Sequence, residues 1–224
     1  MFGDKFKPGG RVFVKICGIT NEVDALLAID AGADALGFNL VGRSKRYIDI
    51  ETGAAWIENL PKEVCRVAIM TDPSWEDACR ISQLQFIDAL QLHGNESPEF
   101  CRRLAAAGIV FSKALPVANS KSLADLPDYS SDTLILDTAS EDEFGGTGKA
   151  FPWRFARQFG QQNPKLKIIL AGGLNPENVA AAIKEVRPFG VDVTSGVEVS
   201  PGRKDARRVK AFVQAARLTS DAVA

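Results

Sequence analysis

The stretch KIILAGGLNPENVAAAIKEVR, residues 167–187, contains one complete strand–loop–helix unit. It opens with an apolar run at 167–171 that is typical of a buried strand. Two glycines follow, and Asn175-Pro176 then supplies a helix cap with proline in the first helical position. Apolar side chains recur after it with the i, i+3, i+4, i+7 spacing of one helix face, at Val179, Ala182, Ile183 and Val186. The stretch therefore predicts a strand, a glycine loop and an amphipathic helix over 176–187.

The same alternation repeats along the chain. Short apolar runs predict eight strands, at 12–16, 34–38, 65–70, 87–92, 109–113, 133–137, 167–171 and 190–194. Helical spacing predicts eight helices, near 21–31, 49–60, 74–84, 97–107, 119–125, 152–160, 176–187 and 204–217. Strands that are apolar throughout are typical of parallel sheets buried on both faces, and eight such units favour closure into a (βα)8 barrel, the TIM barrel. We expect one α/β domain at 12–217, a polar N-terminal extension at 1–11 and a C-terminal tail at 218–224.

Composition excludes several classes of function. The 224 residues carry a net charge of −1, so nucleic acid and anionic membrane surfaces are not expected partners. No apolar run approaches 18 residues, and the first ten residues lack the apolar core of a signal peptide. The four cysteines are widely spaced without a C-x-x-C pair, which favours reduced thiols in the cytoplasm over a zinc or disulfide motif.

Two predicted strands end in a reactive side chain. Cys17 ends the first strand, just before Gly18, and Asp137 ends the sixth. The carboxyl ends of all strands in such a barrel open onto one face, where catalytic residues lie. A thiol and an acid on one face would make a proton-transfer pair. The plainer alternatives are a buried core cysteine at Cys17 and an aspartate that caps the following turn.

Glycine-containing loops follow the seventh and eighth predicted strands. They contain Gly172-Gly173 and Thr194-Ser195-Gly196. Barrels bind phosphate with these two loops, because backbone amides and a helix N-terminus can approach an anion there. Tight turns are the plainer explanation for either loop alone. Together the two loops predict a phosphorylated small-molecule substrate.

Other chemistries have weaker support. His93 is the only histidine, so the histidine and carboxylate cluster of a metal-dependent epimerase is missing and we expect no metal. Lys113 ends the fifth strand and leaves a Schiff-base aldolase open. The run 145–149 (GGTGK) lacks P-loop spacing, since residue 143 is glutamate and residue 150 is alanine. A barrel that binds a phosphorylated ligand without catalysis, or acts on a different substrate, is the remaining alternative.

An ordered set of segments carries a family resemblance. They are residues 14–20 (VKICGIT), 31–38 (AGADALGF), 43–48 (RSKRYI), 91–94 (QLHG), 136–138 (LDT), 145–149 (GGTGK), 172–179 (GGLNPENV), 191–198 (VDVTSGVE) and 201–205 (PGRKD). From about residue 12 to 217 the chain resembles the phosphoribosylanthranilate isomerases, barrel enzymes of tryptophan biosynthesis. The set is specific because its order spans nearly the whole chain.

The resemblance implies a reaction and a set of roles. The reaction is the Amadori rearrangement of N-(5'-phosphoribosyl)anthranilate to 1-(2-carboxyphenylamino)-1-deoxyribulose 5-phosphate, with no cofactor and no metal. By family likeness, Asp137 is the general acid and Cys17 the general base. Arg46 binds the anthranilate carboxylate, and His93 and Asp192 contact the substrate. The phosphate would be bound at Gly172, Gly173, Thr194, Ser195 and Gly196, in a monomer or homodimer.

The roles of three residues depend on surroundings that the sequence leaves open. A thiol has an ordinary pKa of about 8.5, so a base at Cys17 needs a cation nearby. Lys15, inside the first strand, needs a partner in a barrel interior, and could form a local ion pair or orient the site. Arg46 could equally be a surface charge in a basic loop. Departures from the family pattern at Asn39, Met70 and Thr194 are expected to line the pocket and to alter substrate affinity.

Overall fold

The computed structural model describes residues 11–117, 123, 126–138 and 153–221, and it shows a closed barrel of eight parallel strands. The strands are β1 (Phe13–Cys17), β2 (Ala35–Asn39), β3 (Cys65–Met70), β4 (Ala89–Leu92), β5 (Phe111–Val117), β6 (Thr133–Thr138), β7 (Lys167–Leu170) and β8 (Gly190–Val193). Consecutive strands pair in parallel, and β8 pairs with β1 to close the barrel. The predicted (βα)8 fold class is therefore confirmed.

Helices surround this barrel. In the described part of the chain they are α1 (Glu22–Asp30), α2 (Ile50–Ile57), α3 (Trp75–Ser82), α4 (Pro98–Ala106), α5 (Trp153–Gln162), α6 (Val179–Val186) and α7 (Ala206–Asp221). Four of them begin after a residue whose side-chain oxygen accepts a backbone N–H of the first turn, at Asn21, Asp49, Ser74 and Ser97. The helix predicted at 119–125 lies outside the described residues except for Leu123. None of the described helices is long and apolar enough to cross a membrane.

Several element boundaries differ from the prediction by three or four residues. Helix α2 ends at Ile57, and β5 continues to Val117, so Lys113 lies inside β5 and not at its end. Helix α6 begins at Val179 rather than at Pro176, because the Asn175 side chain accepts the amides of Glu177 and Asn178 and holds these residues in a turn. Helix α7 continues past 217 to Asp221. Thr219 is buried there and its hydroxyl donates to the carbonyl of Ala215, which extends the packed face by a turn. The division into an extension at 1–11, a barrel at 12–217 and a tail at 218–224 stays a prediction, and residues 1–10 lie outside the described part.

A short hairpin that the sequence did not predict follows β8. A single 3₁₀ turn (Ser195–Val197) leads into β9 (Glu198–Ser200), which pairs antiparallel with β10 (Arg203–Lys204). These elements are too short to show a periodicity.

The core has two parts because strand side chains alternate between the faces of the sheet. Inside the barrel lie mostly small side chains: Phe13, Ala35, Cys65, Val67, Ala89, Ala114, Ile135, Ile169 and Ala171. A larger cluster fills the layer between strands and helices. It includes the predicted apolar face of α7, namely Val209, Phe212, Val213 and Ala216, and that of α6. Polar side chains gather at the carboxyl end of this interior, where Cys17, Gln91, His93, Asp137 and Asp192 line a pocket.

The tightness of the interior gives a stability prediction. A Cβ at Gly190 would lie 2.9 Å from the Phe13 carbonyl oxygen and 3.0 Å from its Cβ. Gly190→Ala should therefore lower the free energy of unfolding by about 1–3 kcal/mol, the usual cost of overpacking a core. The matched control is Gly160→Ala in α5, whose nearest contact would be 3.9 Å away. Alanine should stabilise that helix by up to about 1 kcal/mol. Urea unfolding of both variants measures the difference, and equal effects would contradict the interior packing.

Candidate active site

A pocket opens at the carboxyl end of the barrel. Nine of the ten site residues predicted from sequence line it, namely Cys17, Arg46, His93, Asp137, Gly172, Gly173, Asp192, Thr194 and Ser195. Gly196 does not line it. Asn39, Ile69 and Gln91 contribute the rest of the polar and apolar wall on the β2–β4 side. The fold thus brings together side chains that are up to 178 residues apart, from Cys17 to Ser195.

The Cys17 thiol occupies space that a glycine provides. Cys17 is the last residue of β1 and is 9% exposed. It pairs in register with Gly37 of β2, and a Cβ at Gly37 would lie 2.7 Å from the Cys17 sulfur. Only glycine at this position leaves room for the thiol inside the barrel mouth. The plain interpretation of Cys17 as a buried residue is correct as to burial, but its side chain faces the pocket.

A buried ion pair lies directly beneath Cys17. Lys15 and Asp192 are neighbours in the β1–β8 register, and their Nζ and Oδ2 atoms are 2.7 Å apart. Burial lowers the pKa of Lys15, but the Asp192 carboxylate and, to a smaller extent, Cys17 more than offset it, so the pKa is raised. Lys15 therefore remains an ammonium group, and it interacts electrostatically with the Cys17 sulfur. Lys15 thus places a positive charge beside Cys17.

The carboxylate of this pair has a second oxygen with a different environment. Asp192 is 6% exposed, and its Oδ1 atom has no hydrogen-bond partner within the described residues. Buried carboxylate oxygens are ordinarily hydrogen-bonded. Since Asp192 lines the pocket, this oxygen is available to a donor on a bound molecule.

Asp137 and His93 lie next to each other in the pocket. The Nε2 atom of His93 is 3.6 Å from Oδ2 of Asp137. Burial, together with the positive charges of Lys15 and Lys113, lowers the pKa of His93 to about 4. The imidazole is thus neutral at pH 7 and does not form an ion pair with Asp137. The Gln91 side-chain amide nitrogen lies 3.4 Å from His93 Nδ1, and if it donates there, the ring proton is on Nε2, toward Asp137.

The two predicted phosphate loops approach each other closely. Gly172 and Gly173 both have positive φ angles, of 79° and 65°, which favour glycine. A Cβ at Gly196 would lie 1.9 Å from the carbonyl oxygen of Leu174, so the loops after β7 and β8 meet backbone to backbone. Gly196 therefore has a packing reason to be glycine, and its expected role in phosphate binding stays a prediction. Thr194 and Ser195 remain at the pocket wall.

Arg46 is held from outside the pocket by an acidic residue. Its Nε and Nη2 atoms donate to both oxygens of Glu198 at 2.8–3.1 Å. Its stem crosses Gly18, where a Cβ would lie 2.7 Å from Arg46 Cδ. Arg46 is thus no solvated surface charge, because its side chain is only 15% exposed. A carboxylate bound in the pocket would have to be received by the other edge of the guanidinium, Nη1 and Nη2.

Lys113 lies elsewhere. It is 2% exposed, pairs with Glu96 at 2.9 Å and donates to the carbonyl oxygens of Gly94 and Ala114. It does not line the pocket. The Schiff-base alternative therefore loses its lysine. Across residues 11–117, 123, 126–138 and 153–221, no group of three or more His, Cys, Asp or Glu is arranged to hold a metal ion. The segment 145–149 lies outside the described residues.

Comparison with known proteins shows the family of this chain. Residues 14–215 match the model of the family described as N-(5'phosphoribosyl)anthranilate (PRA) isomerase. The chain belongs to the N-(5'-phosphoribosyl)anthranilate isomerase family. The family's protein from Geobacter sp. (strain M21) is 45% identical over 210 residues, which cover 92% of this chain and 98% of that protein.

Solved structures of the isomerase family have the same fold. The crystal structure of phosphoribosyl anthranilate isomerase from Thermotoga maritima matches with a TM-score of 0.84 and 40% identity, over 92% of this chain and 98% of that one. Another structure of such an isomerase, in complex with reduced 1-(o-carboxyphenylamino)-1-deoxyribulose 5-phosphate, matches with a TM-score of 0.80 and 39% identity, over the same shares.

The three departures from the isomerase family pattern do not all reach the pocket. Asn39 and Thr194 line it, as expected. Met70 does not, because the alternation along β3 turns Ile69 inward and Met70 toward the helix layer. The expectation that Met70 lines the pocket is wrong for that reason.

Several residues around the pocket were not predicted as site residues. They are Gln91, which lies beside His93, and the charged pair Glu198 and Lys204. A period-2 pattern would have placed Gln91 inside the barrel, on the same face as Ala89. No comparable signal exists for Glu198 and Lys204, because their pairing depends on a hairpin too short to predict.

The unusual environment of His93 gives a pH prediction. In the folded protein the His93 imidazole becomes protonated only near pH 4, whereas in the unfolded chain it becomes protonated near pH 6.5. His93 therefore contributes about 3 kcal/mol to the free energy of unfolding above pH 6.5, and this contribution is lost as the pH falls toward 4. Because His93 is the only histidine, its imidazole NMR signals can be followed without assignment. They should not titrate between pH 8 and 5.5. His93→Gln is the control, because it should remove this contribution to the loss of stability in acid. An NMR titration midpoint near pH 6.5 for the wild-type imidazole would contradict a buried, neutral ring.

Proposed function

We propose that this protein catalyses the rearrangement of N-(5'-phosphoribosyl)anthranilate to 1-(2-carboxyphenylamino)-1-deoxyribulose 5-phosphate in tryptophan biosynthesis, with Asp137 as general acid and Cys17 as general base. Family membership supports the reaction. The single observation that carries the assignment of roles is that Cys17 and Asp137 share one pocket with the two glycine loops.

The first step is assigned to Asp137. Its carboxyl group gives a proton to the ring oxygen of the ribose while the bond from C1' to that oxygen breaks. The anthranilate nitrogen supplies the electron pair, so the product is an open-chain Schiff base and Asp137 is left as a carboxylate. The neutral His93 at 3.6 Å supports this role, because it places a hydrogen-bonding group beside Asp137 without a competing positive charge.

The second step is assigned to Cys17. As a thiolate it takes the proton from C2'. The electrons of that bond form the C1'–C2' double bond while the C1'–N π electrons return to the nitrogen, and the resulting enolamine tautomerises to the ketone. The Lys15 ammonium supports this role because it stabilises a negative charge on the sulfur, while Asp192 holds it in place. Positioned acid and base groups contribute roughly 10²–10⁴-fold in rate.

Substrate recognition is assigned to two groups of residues at the pocket. Gly172, Gly173, Thr194, Ser195 and Gly196 are proposed to bind the phosphate, near the turn that precedes α6. Arg46 is proposed to bind the anthranilate carboxylate; a planar guanidinium suits a carboxylate. His93 and Asp192 are proposed to contact the sugar, Asp192 through the oxygen that has no partner among the described residues.

Location and assembly follow from the reaction class and from a relative. A biosynthetic isomerase with a phosphorylated substrate is consistent with a cytoplasmic protein. The protein is proposed to be a monomer or a homodimer, and light scattering on the purified protein distinguishes the two.

Two substitutions test the assigned chemistry. Cys17→Ala and Asp137→Asn should each lower kcat by roughly 10²–10⁴-fold, because each removes a proton-transfer group and leaves the binding groups intact. The assay follows the loss of substrate fluorescence on freshly made phosphoribosylanthranilate. Cys79→Ala is the control, since this helix cysteine is remote from the pocket. No turnover by the wild-type protein would favour the alternative of a phosphate-binding barrel without this activity, and a near-normal kcat in either variant would refute its role.

The glycine loops give a separate prediction about phosphate. Gly173→Ala strains a backbone of positive φ in the pocket and should raise KM at least several-fold, and inorganic phosphate should inhibit competitively. Gly108→Ala is the matched control, because Gly108 has a similar φ of 73° after α4 but lies outside the pocket. It should cost stability and leave KM unchanged. The same KM in both variants would contradict phosphate binding by this loop.

A further inference from the structure

The hairpin formed by β9 and β10 is exposed on its outer side, but the side chains of the paired residues at its open end are buried. Val199 is 66% exposed, whereas the side chains of Glu198 and Lys204 are only 4% and 0% exposed. The hairpin is fixed to the start of α1, where Thr20 donates to the Gly202 carbonyl oxygen at 2.7 Å and Asp24 accepts the Lys204 amide at 2.9 Å. Its two buried charges therefore have a defined position beside the pocket.

Lys204 joins the ends of two strands that border the site. Its Nζ atom donates to the carbonyl oxygen of Cys17 at 2.6 Å and to that of Thr194 at 3.3 Å. Its third partner is Glu198 at 2.9 Å. An ammonium group has three N–H donors, so this set uses all of them. The contact to Cys17 is the only one of these that reaches the residue assigned as the base.

Glu198 joins the same ammonium to Arg46. Both of its carboxylate oxygens accept from the guanidinium, Oε1 also accepts from Lys204, and the Gly202 amide donates to Oε1 at 3.2 Å. Burial raises the pKa of Glu198, but Arg46 and Lys204 more than offset this, and the pKa is lowered. Glu198 is therefore charged and fixes the plane of the guanidinium.

Stability alone does not account for this arrangement. Replacing buried charge clusters with apolar residues of similar volume is often neutral or stabilising, because the charges must be desolvated. The cluster of Arg46, Glu198 and Lys204 has a net positive charge, because two of its members are cations and one is an anion. Its net positive charge lies against the Cys17 backbone and the proposed carboxylate site, where negative charge is expected.

We propose that Lys204 and Glu198 are positioning residues of this isomerase: Lys204 fixes the end of β1 that carries Cys17, and Glu198 orients the Arg46 guanidinium toward the substrate. The proposal rests on the roles proposed above for Cys17 and Arg46. It separates two effects that a merely structural cluster would not separate. Loss of Lys204 acts on the base, and loss of Glu198 acts on substrate binding.

The test compares kinetic constants in three single variants. Lys204→Met keeps the buried stem but removes the donors, and should lower kcat at least 10-fold with KM changed less than 3-fold. Glu198→Gln should raise KM at least 5-fold, with a smaller change in kcat. Lys204→Arg should recover part of kcat. Arg203→Ala, on the exposed side of the same hairpin, is the matched control and should leave both constants unchanged. Equal changes of kcat and KM in Lys204→Met and Glu198→Gln would overturn the proposal.

A double-mutant cycle decides the role of Glu198, including the case in which Lys204→Met does not fold. In an Arg46→Ala background, Glu198→Gln should change KM less than 2-fold, because no guanidinium is left to orient. The same fold-change of KM in both backgrounds would overturn the orienting role.

Alkylation of Cys17 by iodoacetamide, measured on its peptide by mass spectrometry, needs no substrate. At pH 7 Lys204→Met should slow it at least 5-fold relative to wild type, while alkylation of Cys79 stays constant. An unchanged or faster rate would overturn the contact's role. This readout separates the two proposals, since absence of wild-type turnover would refute the proposed function and leave the alkylation result to decide on Lys204.

Discussion

The ion pair between Lys15 and Asp192 is the interaction on which the site depends. It joins β1 to β8, where the barrel closes, and it lies under the pocket with both side chains buried. Removing one member would leave an uncompensated buried charge, which costs about 3–5 kcal/mol in proteins. The same pair places an ammonium beside Cys17, so one contact links the first and last strands of the barrel and puts a positive charge next to the thiol.

Charge around the pocket is arranged in two layers. In the interior, Lys15 and Asp192 neutralise each other. At the rim, Glu198 is shared between Arg46 and Lys204, which leaves a positive excess. The phosphate and the carboxylate of the proposed substrate are both negatively charged, which is the sign that this excess attracts. The neutral His93 adds no charge on the Asp137 side, where the proposed chemistry requires a proton to leave a carboxyl group.

Glycines make these contacts possible by leaving space for other groups. At Gly37 the space is filled by the Cys17 sulfur, at Gly18 by the stem of Arg46, and at Gly196 by the carbonyl of Leu174. In each case an added Cβ would lie within 2.7 Å of the atom that occupies the space. Backbone conformation is the reason for Gly172 and Gly173, which have positive φ angles. Substitution at any of these positions would therefore disturb the pocket rather than only the loop.

The sequence by itself determined the barrel and the pair of residues at its centre. Apolar runs and helical spacing predicted all eight strands and most helices within a few residues, because buried parallel strands and amphipathic helices follow local patterns. Cys17 and Asp137 were found because both end such runs. Only the tertiary structure decided what surrounds them. Lys15 with Asp192, and Arg46 with Glu198 and Lys204, are contacts between residues 6 to 177 positions apart. Their geometry depends on barrel closure and on a short hairpin, and neither leaves a periodic signal in the chain. The inward turn of Ile69 rather than Met70 was likewise set by strand register, which fixes the face that each side chain takes.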